Sequence, residues 1–546
     1  MSIHHISIWR RSSNKLRQSE VWLEYLCLIG LSIAALTLFL VNLSSLPLID
    51  YREATLAAVA REIHQSSDLI NWIFPTLWNE PYLDKPPLIH ILVALAYGIG
   101  GINELTTRFP GALLGAFSVL LLYQIGREIF VARLPALFSA LVYLTCLPVV
   151  RYSRLATLDG PLLCFQLLTV WAVLRSRRDL KWSLITGIGF SLTSLTQSWF
   201  SLQFLLLVLL FIFWDTPRLL SSAFFWGGLL IGALPSLAWY FSLSVYYRAL
   251  DNVGLGNLLL APIEPLTVGS LSPGFYLLQG MQYFVPWFAI AFTGIQPIKH
   301  NLHWGWGKFL AVWIGGYLTL GLLLHEGNFW LVLPLYPALA LAAGKQLDRI
   351  RNLPSFVTYP SSWMYCFALM AVVAALAGIN WGIHNYIDFY LPFICGSLCV
   401  TFSATAVVIA QRDKQFIPLL FWGLLVSIFL LVVSPHWIWK LEISPAIKPV
   451  AASIEQHTPP QAVIYGSLAT ARPSLSFYSE RQIVAQSTTE LQKQWQQESI
   501  VYLLIESQTA RKLNLPKTVI VKDKRLNSLG WILAIKDRAS VLANVS

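Results

Sequence analysis

The chain has 546 residues, of which 56% are hydrophobic and 12% are charged, and its mean hydropathy is +0.60. Soluble globular proteins carry about 25% charged residues, so this composition excludes a cytosolic enzyme, a disordered protein and a small disulfide scaffold. The formal net charge is +11. No basic cluster with interleaved aromatic residues indicates nucleic-acid binding, and the placement of the positive charge is typical of a membrane-topology signal.

The charged residues are unevenly distributed, with 44 in the first 439 residues and 21 in the last 107. We therefore predict a short cytoplasmic N-terminus at residues 1–21 and a transmembrane domain at 22–439. That domain includes a first extracytoplasmic loop at 45–107. Residues 440–546 are predicted to form a separate, soluble domain.

Thirteen apolar segments are compatible with membrane-spanning helices, and several are shorter than the roughly 20 residues of a full span. They lie at residues 22–44, 108–126, 134–150, 159–174, 182–198, 200–214, 222–245, 283–297, 308–324, 329–343, 361–383, 388–410 and 415–435. The first has no small-residue cleavage site and is predicted to be a signal anchor. A fourteenth segment, 88–102, is predicted to be a non-spanning juxtamembrane helix, because a span there would move two basic loops outside.

This assignment places 18 Lys/Arg and 7 Asp/Glu on the inward side, against 7 and 12 in the outward segments before Lys440. The asymmetry indicates a cytoplasmic N-terminus in the cell membrane, and thirteen crossings then place the C-terminal domain outside. In that domain, β-rich runs alternate with helix-like stretches such as 487–497, which predicts a small α/β fold. The β-rich runs are residues 462–465, 500–505, 518–521 and 531–535.

The polar chemistry lies in two outward loops, residues 45–107 and 151–159, while the predicted spans contain almost no ionisable side chain. Ion-coupled transporters need such groups near the bilayer centre, so this pattern disfavours a transporter. In the first loop, Asp50 and Glu53 would share one face of a helix and serve as a base and as a metal or hydroxyl ligand. The alternative is a capping box in which Asp50 caps a helix and Glu53 closes it.

Four outward cations are candidates for phosphate binding, because the charge rule disfavours their position. Lys85 precedes a rigid proline pair, and its alternative interpretation is a snorkelling lysine. The alternative interpretation of the three arginines is that they form ordinary salt bridges in the loops. These arginines are Arg108, Arg151 and Arg154. Asp159 lies at the end of a span that faces water. Its alternative interpretation is an unpaired surface carboxylate.

The order of these features resembles the GT-C glycosyltransferases, in the lineage of bacterial aminoarabinose transferases and protein O-mannosyltransferases (family 39-like). The resemblance covers most of the chain and is strongest between residues 50 and 159. Its motifs are Asp50-Tyr51-Arg52-Glu53-Ala54, Tyr82-Leu83-Asp84-Lys85-Pro86-Pro87, Thr107-Arg108-Phe109-Pro110, Gly126-Arg127-Glu128-Ile129-Phe130, Arg154-Leu155-Ala156-Thr157-Leu158-Asp159, Leu333-Pro334-Leu335-Tyr336-Pro337 and Ser476-Phe477-Tyr478-Ser479-Glu480-Arg481.

The resemblance implies a polytopic GT-C fold and an inverting transfer of a hexose or pentose from a polyprenyl-phosphate carrier. The acceptor would be a lipid, protein or glycan at the outer face of the membrane. Asp50 would activate the acceptor, with Glu53 beside it and Asp159 as a second acidic site. Tyr82 and Lys85 would contact the carrier phosphate, and a divalent metal is an open possibility.

The chain also departs from the family pattern at three places. Gln197-Ser198 and His325-Glu326-Gly327-Asn328 replace positions where relatives have lysines, and the loop 246–282 has no histidine to bind a metal. Two other functions therefore remain as alternatives. They are a lipid or oligosaccharide transporter and an inactive scaffold that has kept the fold.

Overall fold

The computed structural model describes residues 3–248, 280, 283–323, 332–354, 359–384, 388–438, 447–460, 462–498, 500–513, 521, 523–527 and 529–536. It divides into two compact units. The membrane unit comprises Met1–Asn42, Leu83–Ile89 and Phe109–Trp437. The C-terminal unit comprises Leu43–Tyr82, His90–Arg108 and Ile438–Ser546, so the first loop is grouped with the C-terminal residues. The predicted boundary at Lys440 lies outside the described residues.

The membrane unit is helical. Its helices are α1 (Ile3–Leu40), α6 (Arg133–Leu144), α7 (Leu147–Arg154), α8 (Asp159–Ser176), α9 (Trp182–Thr196), α10 (Ser198–Asp215), α11 (Pro217–Leu220), α12 (Ala223–Arg248), α13 (Trp287–His300), α14 (Gly305–Leu323), α15 (Leu335–Arg351), α16 (Ser361–His384), α17 (Tyr390–Ala410) and α18 (Phe416–Val433). Two further helices, α4 (Leu88–Gly100) and α5 (Glu104–Ile129), run through the boundary between the units.

Six of the described helices are long and apolar enough to cross a membrane, or seven if the pair α6 and α7, bent by 59°, forms one span. The six are Val21–Leu40, Glu104–Ile129, Ala223–Tyr246, Ser361–His384, Tyr390–Ala410 and Phe416–Val433. The other predicted spans are helical over most of their described residues but are shorter or less apolar. The helical membrane fold is therefore confirmed, while the count of thirteen spans stays a prediction.

Close packing at glycine explains how the less apolar helix α9 is held in the bundle. A Cβ atom on Gly187 of α9 would lie 2.4 Å from the carbonyl oxygen of Leu229 in α12. A Cβ atom on Gly232 of α12 would lie 2.5 Å from the backbone nitrogen of Ile188. The two backbones approach closely only because both positions lack a side chain, which is how small residues drive helix association in membranes.

The C-terminal unit contains the first loop and an α/β region. The loop forms α2 (Glu53–Gln65), α3 (Ile70–Ile73) and a hairpin of β1 (Thr76–Leu77) and β2 (Glu80–Pro81). The α/β region contains α19 (Ile447–His457), β3 (Val463–Gly466), α20 (Pro473–Ser479), β4 (Gln482–Ala485), α21 (Thr488–Gln497), β5 (Val501–Glu506), α22 (Ser507–Lys512), α23 (Lys524–Asn527) and β6 (Trp531–Lys536).

The four strands form one sheet in the order β4-β3-β5-β6, with β3 parallel to both β4 and β5 and β6 antiparallel to β5. Side chains alternate across β5, because successive residues of a strand point to opposite faces. Leu504 packs with Val450 and Ile454 of α19 on one face. Leu503 packs with Leu491 of α21 on the other face.

The predicted α/β fold is confirmed, and three of its predicted strands coincide with β3, β5 and β6. Most of the fourth, residues 518–521, lies outside the described residues. Strand β4 was not predicted. The predicted helix at 487–497 is confirmed, and its start is a capping box in which Ser487 accepts the Glu490 N–H and Glu490 accepts the Ser487 N–H.

Candidate functional site

A tight turn separates the two acidic residues of the first loop. Tyr51 has a φ of 61°, an uncommon left-handed conformation for a residue with a side chain. The Arg52 N–H donates to the Asp50 carbonyl at 2.7 Å, and α2 begins only at Glu53. Asp50 therefore lies outside the helix, and the predicted shared helical face is wrong. The capping alternative for Asp50 is also wrong, because the N-cap position is Arg52 and no side chain caps α2.

The Asp50 carboxylate instead binds the start of α20. Its Oδ1 accepts the Ser474 N–H at 3.1 Å and the Ser474 hydroxyl, and its Oδ2 lies 3.5 Å from the Arg472 guanidinium. The first N–H groups of a helix have no partner within it, so a carboxylate from another segment satisfies one of them. Asp50 is 5% exposed. It is a buried carboxylate whose oxygens are engaged by donors from the α/β region.

Glu53 forms a buried ion pair with Arg108. The guanidinium donates Nε–H to Oε1 at 2.9 Å and Nη2–H to Oε2 at 2.7 Å, and both side chains are 0% exposed. Its other N–H groups donate to the carbonyl oxygens of Leu43, Leu46 and Pro47. All five guanidinium N–H groups thus have acceptors. The arrangement positions Glu53, and contact of Arg108 with a donor phosphate stays a prediction that requires one of these bonds to open.

A third acidic residue, Glu104 at the start of α5, joins this network. It accepts the Tyr478 hydroxyl at 2.8 Å and forms an ion pair with Lys448. The Tyr478 oxygen in turn accepts the Leu48 N–H at 2.8 Å. Burial raises the pKa of Tyr478, which lies outside the membrane-spanning segments, so its hydroxyl stays protonated as a donor. Hydrogen bonds from Ser474 and Tyr478 of α20 therefore hold Asp50 and Glu104 of the first loop.

The hairpin that precedes Tyr82 is held by Glu62. Its carboxylate accepts the Thr76 hydroxyl at 2.8 Å and the Trp78 N–H. Trp78 and Asn79 form the turn with φ of 57° and 64°, as a two-residue hairpin requires. Tyr82 follows and packs edge-on against the buried His90 at 5.3 Å. This contact defines the ring position of Tyr82, while its role toward a carrier phosphate stays a prediction.

The membrane unit holds the other candidate residues. Asp159 opens α8 and is 6% exposed. The preceding helix α7 passes close to it, since a Cβ atom on Gly160 would lie 2.7 Å from the Cα of Ser153. Arg151 and Arg154, in the last turn of α7, are therefore carried by a helix that packs on the start of α8. Two cations at the end of α7 and one carboxylate at the start of α8 therefore lie at the same helix junction.

Arg154 has a clear structural role. Its guanidinium donates to the carbonyl oxygens of Leu38, Phe39 and Val41 at the end of α1, and it stacks over the Trp437 ring at 4.5 Å. A guanidinium that satisfies the last carbonyls of a helix stabilises its C-terminus. Arg151 is 8% exposed and lies over the Tyr152 ring, and Lys85 is half-buried. Phosphate binding by Lys85, Arg151 and Arg154 stays a prediction.

Asp50 and Glu53 belong to the C-terminal unit and Asp159 belongs to the membrane unit. Convergence of the three in one cleft stays a prediction. Among the described residues, no three His, Cys, Asp or Glu side chains are grouped to hold a metal ion. A divalent metal also stays a prediction. The departures from the family pattern at residues 325–328 and in most of the loop 246–282 lie outside the described residues.

Residues 84–247 match the family described as dolichyl-phosphate-mannose-protein mannosyltransferase. ArnT from Cupriavidus metallidurans in the apo state superposes with a TM-score of 0.74 over 96% of this chain and 99% of that chain, at 16% identity. The structure of ArnT bound to undecaprenyl phosphate also gives 0.74, over 93% and 97%, at 17% identity.

The chain has the GT-C fold of ArnT. The family resemblance predicted from the motifs is thereby confirmed. The chain is also 25% identical over 318 residues to an uncharacterized protein of Aquifex aeolicus (strain VF5). It is 29% identical over 131 residues to an undecaprenyl phosphate-alpha-4-amino-4-deoxy-L-arabinose arabinosyl transferase of Pseudomonas fluorescens (strain Pf0-1). The matches span 55% and 23% of this chain and 61% and 23% of those relatives, which is less than two thirds of either.

Several residues of the network around Asp50 and Glu104 were not predicted from the sequence. The sequence alone indicates no role for Arg472, Ser474 or Lys448, and Tyr478 stands out only as part of the motif at residues 476–481. They lie more than 300 positions from their partners in the first loop, so no spacing rule connects them. The one available signal was the motif around Tyr478, whose neighbour Phe477 packs on Leu48 and α2.

Proposed function

We propose that this protein transfers a sugar from a polyprenyl-phosphate carrier to an acceptor at the outer face of the cell membrane. The observation that carries the proposal is the fold it shares with ArnT over 96% of the chain. ArnT has been solved bound to undecaprenyl phosphate. The match to the mannosyltransferase family over residues 84–247 supports the same class of reaction. The sugar and the acceptor class are left open.

The proposed reaction is a single displacement at the anomeric carbon, with inversion. The acceptor oxygen forms the new bond, its proton passes to a carboxylate, and the bond from the sugar to the carrier phosphate oxygen breaks. Asp50 is the proposed base, because its buried carboxylate is positioned by Ser474 and Arg472. Glu53 and Asp159 are the other two carboxylates proposed to act in the reaction. Lys85 and Arg151, with Tyr82, are proposed to stabilise the departing phosphate.

The direct test is to delete the gene and compare envelope glycolipids and glycoproteins by mass spectrometry. We expect one glycoconjugate to lose a sugar and the corresponding lipid-linked sugar to accumulate at the outer face. Accumulation at the inner face would instead indicate a transporter. An unchanged envelope in both the deletion strain and an overexpressing strain would contradict the proposal.

Lys85→Ala is expected to weaken use of the donor by about 10-fold or more, because a charge-assisted contact to phosphate contributes about 1.5–3 kcal/mol. The measurement is the dependence of the transfer rate on lipid-linked sugar in membranes that contain the variant. Dependence on acceptor concentration should change little. Lys181→Ala, an exposed lysine on the predicted inward side, is the matched control. Equal effects on donor and acceptor would indicate a structural lysine.

The proposed orientation places the N-terminus in the cytoplasm and the C-terminal unit outside. A reporter that is active only outside the cytoplasm, fused after Ser546, is expected to be active. The same reporter fused in the loop at Arg178–Lys181 should be inactive, because that loop is basic and is predicted to face inward. The reverse pattern would refute the orientation.

One observation favours the second candidate, an inactive scaffold. The Asp50 carboxylate is engaged by Ser474 and Arg472, which is also the arrangement of a purely structural carboxylate. Removal of the Asp50 charge would have different effects in an enzyme and in an inactive scaffold. A structural carboxylate affects the amount of folded protein, whereas a base affects turnover.

A further inference from the structure

A groove with a volume of about 640 Å³ lies between three helices of the membrane unit. Its walls are apolar and come from α1, α6 and α18, and they include Leu26, Gly30, Leu137, Leu141 and Phe421. Two cations, Arg351 and Lys414, line it as well. Arg351 is the last residue of α15, and Lys414 lies just before α18. The groove thus has apolar walls and carries positive charge at the end where α18 begins.

The length of the groove fits one leaflet of a bilayer. Its lining runs along α1 from Leu23 to Ala34, which is about 16 Å at 1.5 Å per residue. The hydrocarbon core of a bilayer is about 30 Å thick, so one leaflet contributes about 15 Å. One acyl chain of a phospholipid therefore matches the groove in length. A polyprenyl carrier is much longer than one leaflet and would extend beyond it.

The two cations are available for an anionic headgroup. Both are exposed, and in the part of the chain that the structure describes neither takes part in an ion pair. The nearby acids are engaged elsewhere. Glu24 pairs with Arg127 and Arg133 at 3.1 and 3.0 Å, and Asp413 accepts the Gln415 N–H at 3.0 Å. A negative headgroup would therefore meet a locally positive groove end.

The membrane unit also contains a natural comparison. A second groove, of about 690 Å³, lies between α17 and α18 and is lined by Pro392, Phe393, Val400 and Leu430 among others. It has similar size and apolar walls but no charged lining residue. Hydrophobic burial acts in both grooves, while charge selection is possible only in the first.

We propose that the groove between α1, α6 and α18 is a binding site for one anionic glycerophospholipid. One acyl chain lies between the three helices, and the phosphate is held by Arg351 and Lys414. The site is separate from the proposed sugar transfer and does not depend on it. It would anchor α1 to the rest of the bundle through a lipid.

The test uses the full-length protein, delipidated in detergent and then titrated with phosphatidylglycerol or phosphatidylcholine of identical acyl chains. Bound lipid is counted by native mass spectrometry. We expect phosphatidylglycerol to bind more tightly. Arg351→Ala combined with Lys414→Ala should lower its affinity by about 30-fold, at roughly 5-fold for each cation, and leave phosphatidylcholine unchanged. Arg178→Ala combined with Lys181→Ala, outside the groove, should change neither lipid.

A second variant tests the groove by shape. A Cβ atom on Gly30 would meet no atom within 4 Å, so Gly30→Leu should fill the groove without disturbing the fold. We expect it to weaken binding of both lipids. Equal binding of the two lipids by the unaltered protein would overturn the proposal, as would an intact preference in the double alanine variant. Displacement of phosphatidylglycerol by an equal concentration of undecaprenyl phosphate would assign the groove to the carrier and would also overturn it.

Discussion

Asp50→Asn is expected to lower the rate of sugar transfer by about 10² to 10⁴-fold while the protein still folds. Asparagine has nearly the same size and keeps an oxygen that accepts the Ser474 N–H and hydroxyl. It removes the negative charge that we propose takes up the acceptor proton, and loss of a general base has an effect of this size. The lost ion pair with Arg472, a partly exposed side chain, contributes only about 0–1 kcal/mol.

The measurement is complementation of the deletion strain, with the glycoconjugate quantified by mass spectrometry and normalised to folded protein by size-exclusion chromatography. Asp68→Asn is the matched control, because Asp68 is an exposed carboxylate of the same loop that accepts only a local N–H, that of Ile70, at 2.9 Å. It should retain near-normal transfer. Normal transfer by Asp50→Asn would remove Asp50 from the reaction and leave it as a structural carboxylate.

Arg108→Ala is expected to destabilise the protein by about 3–5 kcal/mol, because it leaves the fully buried Glu53 carboxylate without its counter-ion. The substitution also removes the donors to three backbone carbonyls of residues 43–47. We expect a large fall in the thermal unfolding midpoint of the purified protein in detergent. Arg52→Ala, at an exposed arginine one residue before α2, should change stability by no more than about 0.5 kcal/mol.

A double variant separates the ion pair from simple loss of packing. Glu53→Leu with Arg108→Leu removes both charges and should recover part of the stability lost in Arg108→Ala, since an apolar pair of similar volume has no buried charge to solvate. Full recovery is not expected, because the three carbonyls stay without the guanidinium. A midpoint for Arg108→Ala equal to that of the unaltered protein would show that the pair is unimportant for stability.

Much of the fold was predictable because it depends on local patterns. The helices follow from long apolar runs, and strands β3, β5 and β6 follow from β-branched and aromatic residues between polar turns. Strand β4, Gln482–Ala485, was missed because it is four residues long and none of its side chains is fully buried. Its place in the sheet is decided by pairing with β3, which the local sequence does not report.

The candidate site was only partly predictable. The chemistry-bearing residues of the first loop were identified from the sequence, but the partner of Asp50 lies 424 positions away and no spacing connects the two. The geometry of Asp50 was mispredicted because Tyr51 takes a left-handed conformation, so that the helix begins only at Glu53 and does not include residue 50. Arg108 forms a buried ion pair with Glu53, while its contact with a donor phosphate stays a prediction.

The packing of Phe477 against Leu48, Ala54, Ala57 and Ala58 has a consequence for engineering. Chimaeras between this protein and a relative would join mismatched surfaces if they exchanged only the tail beyond residue 438. A chain truncated before Phe477 would likewise expose the hydrophobic surface formed by Leu48, Ala54, Ala57 and Ala58. An exchange between relatives should therefore move residues 43–82, 90–108 and 438–546 together.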